Sequence, residues 1–261
     1  MKRIDFLGAP GVGKTTLYNS LLQQRGRHEK WLTVEEAKLL IAKRYVRNNF
    51  YSIKELARLL ILNTVKKRVL QNKLSENICN SLTKQALKDK LDDWMPFIDL
   101  CGESLGDLSK PSYYRFLLAK WLLSQLDDVV LVESVDFNYT VLFDESLSQR
   151  ATGLMPWDYS FGERQSRRYY NLIPPPYAVV YLCAEPQQII KRITDRPQKS
   201  FIVQHQGLSC HELLERTKIA AMIVEIGAGI LRERGIPVLE LDAELPIDEI
   251  VVVAQNFISK N

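Results

Sequence analysis

Gly8-Ala9-Pro10-Gly11-Val12-Gly13-Lys14-Thr15 is the stretch on which the fold turns. It satisfies the GxxxxGK(S/T) spacing in full. Its setting fits as well: the short apolar run Ile4 to Leu7 precedes it, and Leu17, Leu21 and Leu22 follow at helical spacing. Strand, glycine turn and helix in that order make a phosphate-binding loop. The glycines let successive backbone N–H groups curl toward one centre, and the positive end of the helix that begins near Lys14 points at the same place. The Lys14 ammonium reaches the outer phosphates, and the Thr15 hydroxyl is suited to ligating Mg²⁺. Gly8, Ala9, Pro10, Gly11, Val12, Gly13, Lys14 and Thr15 are therefore the expected nucleotide-binding residues. Thr16 is either a contact to the α-phosphate or an ordinary helix residue.

The other half of such a site is an acidic residue at the end of a strand beside the first. Tyr139 to Phe143 is an apolar run that ends in Asp144-Glu145, so Asp144 is expected to hold Mg²⁺, directly or through water. Glu145 has three open roles: orienting water, accepting the proton of a substrate hydroxyl, or pairing with an arginine. A second apolar run, Val129 to Val132, ends at Glu133, which is the rival general base if both runs are parallel strands. The few residues between the runs are too short for an ordinary crossover helix, so one of the two need not be a core strand. Cations are needed to balance the charge that spreads over a phosphoryl group in flight. Arg192 and Arg196 bracket the end of a helix expected over Pro186 to Thr194, and Arg164, Arg167 and Arg168 precede a strand over Tyr177 to Cys183. Both segments can converge at the carboxyl edge of a sheet. Arg150 either anchors a substrate phosphate or turns back to an acidic neighbour.

Outward from these blocks, Glu35 to Leu91 contains neither glycine nor proline and carries leucine or isoleucine at helical intervals. Two or three helices are expected there, broken near Asn48-Asn49 and near Asn72. Pro96 and the stretch Cys101 to Pro111 read as a loop, followed by a helix from Ser112 to Leu126. The chain closes with a helix from Ser209 to Arg234, a turn at Gly235, a strand from Pro237 to Leu241 and a helix from Ile247 to Ile258. Alternating buried strands and helices predict an α/β fold: a mostly parallel five-stranded sheet between two helical layers. The expectation is a single domain over residues 1–261, with a helical insertion over 25–125 on the substrate side.

Composition narrows the class further. At 261 residues, with 46% hydrophobic and 25% charged residues, the chain is an ordinary globular one, not a disordered, collagen-like or coiled-coil protein. Its opening apolar segment is too short and too polar for a signal peptide or a membrane span, so a cytoplasmic protein with no membrane insertion is expected. Cys79, Cys101, Cys183 and Cys210 form no CxxC pair, and His28, His205 and His211 complete no zinc spacing; free thiols are expected. Residues 1–90 hold 19 lysines or arginines against 7 acids, a balance of +12, while the remainder is net acidic. A basic half of this kind serves as a solvated helical surface or attracts phosphates and nucleic acid, although no nucleic-acid-binding motif accompanies it.

Four blocks resemble the small P-loop kinases related to nucleoside, thymidylate and adenylate kinases. They are GAPGVGKTTL at 8–17, VLFDESLSQR at 141–150, PPPYAVVYLCAEPQQIIKRITDR at 174–196 and GIPVLELDAELPIDEIVVVAQNFI at 235–258. The resemblance implies that Lys14 and Thr15 serve the phosphates and Mg²⁺, that Asp144 serves the metal, and that Arg192 and Arg196 belong to a mobile lid. Residues 25–125 have no counterpart in it. Asp144-Glu145 stands where thymidylate kinases carry Asp-Arg, and the lid is poor in arginine. Asp-Glu followed by Gln149-Arg150 is also similar to a loosely defined P-loop subgroup with an Asp-Glu-Gly motif, with Ser146 in the glycine's place. The expectation is a Mg-ATP-dependent kinase acting on a small hydroxylated or phosphorylated metabolite, a sugar or nucleotide; an oligomer is compatible with it. The competing expectation is an ATPase or nucleotide-dependent switch acting on a macromolecule.

Overall fold

The computed structural model describes residues 1–26, 29–49, 53–63, 68–107, 110–155, 158–195 and 208–261. In chain order the elements are β1 (Lys2–Leu7), α1 (Lys14–Gln23), β2 (Trp31–Thr33), α2 (Val34–Asn48), α3 (Ile53–Asn63), α4 (Arg68–Leu105), α5 (Ser112–Glu133), β3 (Thr140–Phe143), α6 (Leu147–Leu154), α7 (Tyr159–Leu172), β4 (Ala178–Cys183), α8 (Pro186–Thr194), α9 (Cys210–Glu233), β5 (Val238–Asp242) and α10 (Ile247–Lys260). The strands form one sheet in the order β2-β3-β1-β4-β5, every pairing parallel. Parallel neighbours need crossovers, and the helices that supply them cover both faces. Along β1 the side chains alternate between two cores. Ile4 and Phe6 pack with Leu17, Leu21, Val251 and Ala254, while Leu7 packs on the other face with Val130, Tyr169 and Val224. The expected three-layer α/β architecture is present.

Four details of the sequence reading are corrected. Val129 to Val132 is not a strand but the last turn of α5, which runs to Glu133 instead of ending at Leu126. All four of these residues are fully buried, and an apolar run enclosed on every side reads the same whether it is strand or helix. The fifth strand is instead β2, three residues at the sheet edge within the 25–125 interval, otherwise helical or irregular among the described residues. The expected break near Asn72 falls inside α4; the break near Asn48-Asn49 is where α2 ends. Pro96 also lies inside α4, which continues to Leu105 before any loop. Proline deprives the Asp92 carbonyl of its helical donor, a loss that is tolerated because both residues are exposed to solvent.

What positions the site is the seating of α6. Tyr169 and Tyr170, both fully buried on α7, donate their hydroxyls to the carbonyls of Leu147 and Ser148 at 2.7 and 2.8 Å. The Ser148 hydroxyl in turn donates to Asp5 on β1 at 2.5 Å. Asp5 has no exposed surface and lies 3.5 Å from the Arg3 guanidinium; burial pushes its carboxyl above the usual aspartate range, opposed by Arg3 and Ser148. The Tyr170 ring occupies the space a side chain at Gly227 would need: a Cβ there would stand 2.2 Å from Tyr170 Cζ. Gly227→Ala is therefore expected to destabilise the fold by about 1–3 kcal/mol, read as a lower midpoint in chemical denaturation with an unchanged slope.

Candidate active site

The loop between β1 and α1 is built on two left-handed glycines, Gly11 at φ +92° and Gly13 at φ +119°. Gly13 caps α1, and Lys14 is its first residue. The Lys14 ammonium is folded under its own loop, donating to the carbonyls of Gly8 at 2.8 Å and Ala9 at 3.3 Å. β3 lies directly beside β1, pairing Asp5 with Phe143, so the residue after Phe143 emerges at the carboxyl edge next to the loop. There the Thr15 hydroxyl donates to Asp144 Oδ2 at 3.2 Å.

Asp144 Oδ1 is buried and has no hydrogen-bond partner among the described residues. An orphaned carboxylate oxygen beside a threonine hydroxyl is a donor set that suits Mg²⁺, an oxygen-seeking ion that keeps much of its shell for phosphates and water. No group of three or more His, Cys, Asp or Glu that could hold a metal occurs among the described residues. Burial, and then the neighbouring Glu145 charge, push the Asp144 carboxyl above the usual aspartate range; Lys14 and the Thr15 hydroxyl pull the other way.

Two cavities meet here. One, of about 450 Å³, runs from the loop residues Gly13, Lys14 and Thr15 to Tyr114, Leu118 and Gln149. The other, of about 420 Å³, is lined by Asp144 together with Tyr18, Glu35, Ser124, Gln125 and Asp128. Trp121, Glu145 and Arg150 line both and form the partition. Arg150 is ion-paired with Glu145, and its guanidinium stands 5.2 Å from the Trp121 ring centroid. Of the roles open to Glu145, the structure shows the arginine pair; of those open to Arg150, the acidic neighbour.

The remaining expected residues are distributed unevenly. Arg192, at the end of α8, donates to the Val12 carbonyl at 2.6 Å and to the Ala243 carbonyl at 2.7 Å, tying the loop to the turn after β5. Arg196 lies outside the described residues. Glu133 ends a helix, not a strand, and pairs with Lys90 at 2.9 Å and Arg3 at 3.7 Å. Arg3 is five residues before Gly8, about 16 Å along an extended strand, so Glu133 belongs to the opposite edge of the sheet and is excluded as the base. Arg167 pairs with Glu163 on its own helix, Arg168 with Glu103, and Arg164 lies over Phe161; none of the three lines either cavity. All four cysteines are free. Burial pushes Cys79 to about 11 and Cys101 to about 12, so neither is a thiolate at neutral pH.

The reading of the sequence missed Glu35, Trp121 and Gln125. Gln125 is buried, its Oε1 has no hydrogen-bond partner among the described residues, and it lines the second cavity. Glu35 follows β2 in the first turn of α2, which opens with a Thr33–Glu36 capping box. That Thr-x-x-Glu spacing after Trp31-Leu32 was the available signal of a strand turning into a helix beside the site.

Fold and site together make this a phosphate-loop α/β protein with a two-part cavity at the carboxyl edge of its sheet. No family model matches the chain, and no curated protein does. It is similar to solved structures of deoxyadenosine kinase from M. mycoides. One, with the products dCMP and a flexible dCDP bound, is 14% identical, with a TM-score of 0.43 over 99% of this chain and 100% of that one. Another, with bound dATP, is 12% identical, with a TM-score of 0.41 over 98% of each. With so little shared sequence, what this chain does has to be argued from its own side chains.

Proposed function

We propose that the protein transfers the γ-phosphoryl group of Mg-ATP to a hydroxyl of a small metabolite of the sugar or nucleotide kind. The observation that carries this reading is the 3.2 Å contact between Thr15 and Asp144 below the phosphate loop, at the junction of two metabolite-sized cavities. The loop N–H groups and the α1 N-terminus hold the triphosphate. Lys14 leaves the carbonyls of Gly8 and Ala9 for the phosphate oxygens, where its charge is worth most as negative charge develops. Thr15 and Asp144 would hold Mg²⁺, which would supply neutralising charge for the phosphates. Arg192 steadies the rim of the loop through the Val12 carbonyl and is a source of cationic charge there.

The acceptor hydroxyl attacks in line: its oxygen bonds to the γ-phosphorus as the bridging oxygen–phosphorus bond breaks and ADP departs. Its proton needs a carboxylate. Glu145 is spent on Arg150, whereas Glu35 lines the cavity that contains Asp144 and makes no ion pair among the described residues. Glu35 is the base of this reading. Trp121, Tyr114 and Leu118 supply the apolar wall that keeps water from competing. Among the described residues the arginine on that wall is Arg150, already paired with Glu145, so an uncharged hydroxylated acceptor suits it better than a phosphorylated one.

The test is ADP release from Mg-ATP against a panel of nucleosides and sugars. Stimulation of at least tenfold by one chemical class is expected. Slow hydrolysis indifferent to every small acceptor, or stimulated only by nucleic acid or protein, would contradict the proposal. A pH profile adds a second check. Asp144 must be ionised to hold the metal, and its raised carboxyl places the acid limb of activity above that of an ordinary aspartate. Removing the adjacent charge with Glu145→Gln is expected to move this limb to lower pH; a limb that stays or rises would assign it to another group.

A further inference from the structure

Ser146-Leu147-Ser148-Gln149 has the spacing of a capping box, in which the serine hydroxyl takes the N–H of the fourth residue and the glutamine side chain returns to the serine's own N–H. The first half forms: Ser146 caps α6 and accepts from Gln149 N. The second half does not. At the starts of α2 and α9 the same motif closes on itself, through Thr33 with Glu36 and Ser209 with Glu212. In α6 the Gln149 carboxamide goes elsewhere: its Oε1 accepts the backbone N–H of Gly8, 141 residues away, at 3.1 Å, and its Nε2 donates to Thr152 at 3.4 Å.

Gly8 is the first residue of the phosphate loop, and its own carbonyl is where the Lys14 ammonium rests. It is also tightly enclosed: a Cβ there would stand 2.7 Å from the Leu182 carbonyl and 2.9 Å from Val12 Cγ1. Gln149 is itself buried, and it lines the larger cavity. One carboxamide therefore joins the cavity wall on α6 to the peptide from which the loop springs.

We infer that Gln149 is a positioning residue that sets the geometry of the phosphate loop from the acceptor side, by holding the Gly8 N–H. The inference rests on the phosphoryl-transfer reading and adds a tether between its two half-sites. Without that acceptor the buried Gly8 N–H is orphaned, and a buried donor without a partner is costly enough to make the adjoining peptides turn in search of one. Only the fraction of molecules whose loop keeps its curl then binds the triphosphate at full strength, and the apparent affinity falls by that fraction. The effect belongs to nucleotide binding itself and should be present with no acceptor in solution.

The experiment is equilibrium binding of Mg-ATP without acceptor, beside a thermal melt, for the wild type and three variants. Gln149→Leu keeps the volume and loses the carbonyl oxygen. Gln149→Asn keeps the amide on a stem one methylene too short. Ser146→Ala removes the cap of α6 and leaves the Gly8 contact in place. The first two are expected to weaken Mg-ATP binding about tenfold at temperatures where they remain folded. Ser146→Ala is expected to lower the melting temperature while holding affinity within twofold. If Gln149→Leu and Gln149→Asn bind within twofold of wild type, the inference falls and the phosphoryl-transfer reading stands. If Ser146→Ala loses affinity as severely as they do, the effect is general loosening of α6 and the inference falls as well. A wild type that binds no Mg-ATP would overturn both.

Discussion

Lys14→Ala is expected to reduce phosphoryl transfer about a thousandfold, in line with removing a preorganised charge from a developing negative centre. The loss should appear in kcat as well as in kcat/KM, because the ammonium is pulled from its resting place at Gly8 and Ala9 only as phosphate charge draws it. The fold should survive. The Lys14 side chain is buried under the loop but belongs to no hydrophobic core, and losing its hydrogen bonds to two loop carbonyls should cost on the order of 1 kcal/mol. Single-turnover kinetics and a melting curve on the same preparation separate these effects. Activity within tenfold of wild type would remove Lys14 from the reaction; an unfolded variant would make it a structural residue.

Asp144→Asn carries the second large effect, and its two consequences have opposite signs. Activity at fixed Mg²⁺ should fall about a hundredfold or more, recovering in part at high Mg²⁺, because the amide keeps the shape beside Thr15 and loses the charge. Stability should rise or stay level. The folded-state carboxyl is raised above its unfolded value, so the native state binds the proton more readily. The ionised group therefore costs stability above the folded pKa, and that cost is relieved as pH falls through it. Wild type should gain on the variant in melting temperature as the buffer is taken from neutral toward acid. A variant less stable than wild type at neutral pH, with an unchanged Mg²⁺ requirement, would reassign Asp144 to a structural role.

The parts of this molecule legible in its sequence are those whose chemistry is local. Eight consecutive residues specify the phosphate loop, because the backbone turn and the charges it serves are built in one place. Asp144 was legible for a related reason: a carboxylate that ends an apolar run is a recognisable pattern once β3 is placed beside β1. What escaped is set by packing. Val129 to Val132 is enclosed whether it is strand or helix, and α5 wins it by simple continuation from Ser112. β2 is three residues long and has one neighbour in the sheet, too short for alternation to register. Glu35 enters the site because that edge strand delivers it there, and Trp121 and Gln125 because α5 crosses the carboxyl edge. The pairing of Glu145 with Arg150 was one of the alternatives that spacing left open; the seating of α6 by Tyr169 and Tyr170 decided it.

The most direct test of the account is a crystal structure with Mg²⁺ and a non-hydrolysable ATP analogue. The account predicts the triphosphate curled in the loop, Lys14 released from the carbonyls of Gly8 and Ala9, and Mg²⁺ about 2 Å from Thr15 Oγ1 and from Asp144 or a water that Asp144 holds. A triphosphate bound away from the loop, or a metal ion that neither Thr15 nor Asp144 reaches, would contradict it.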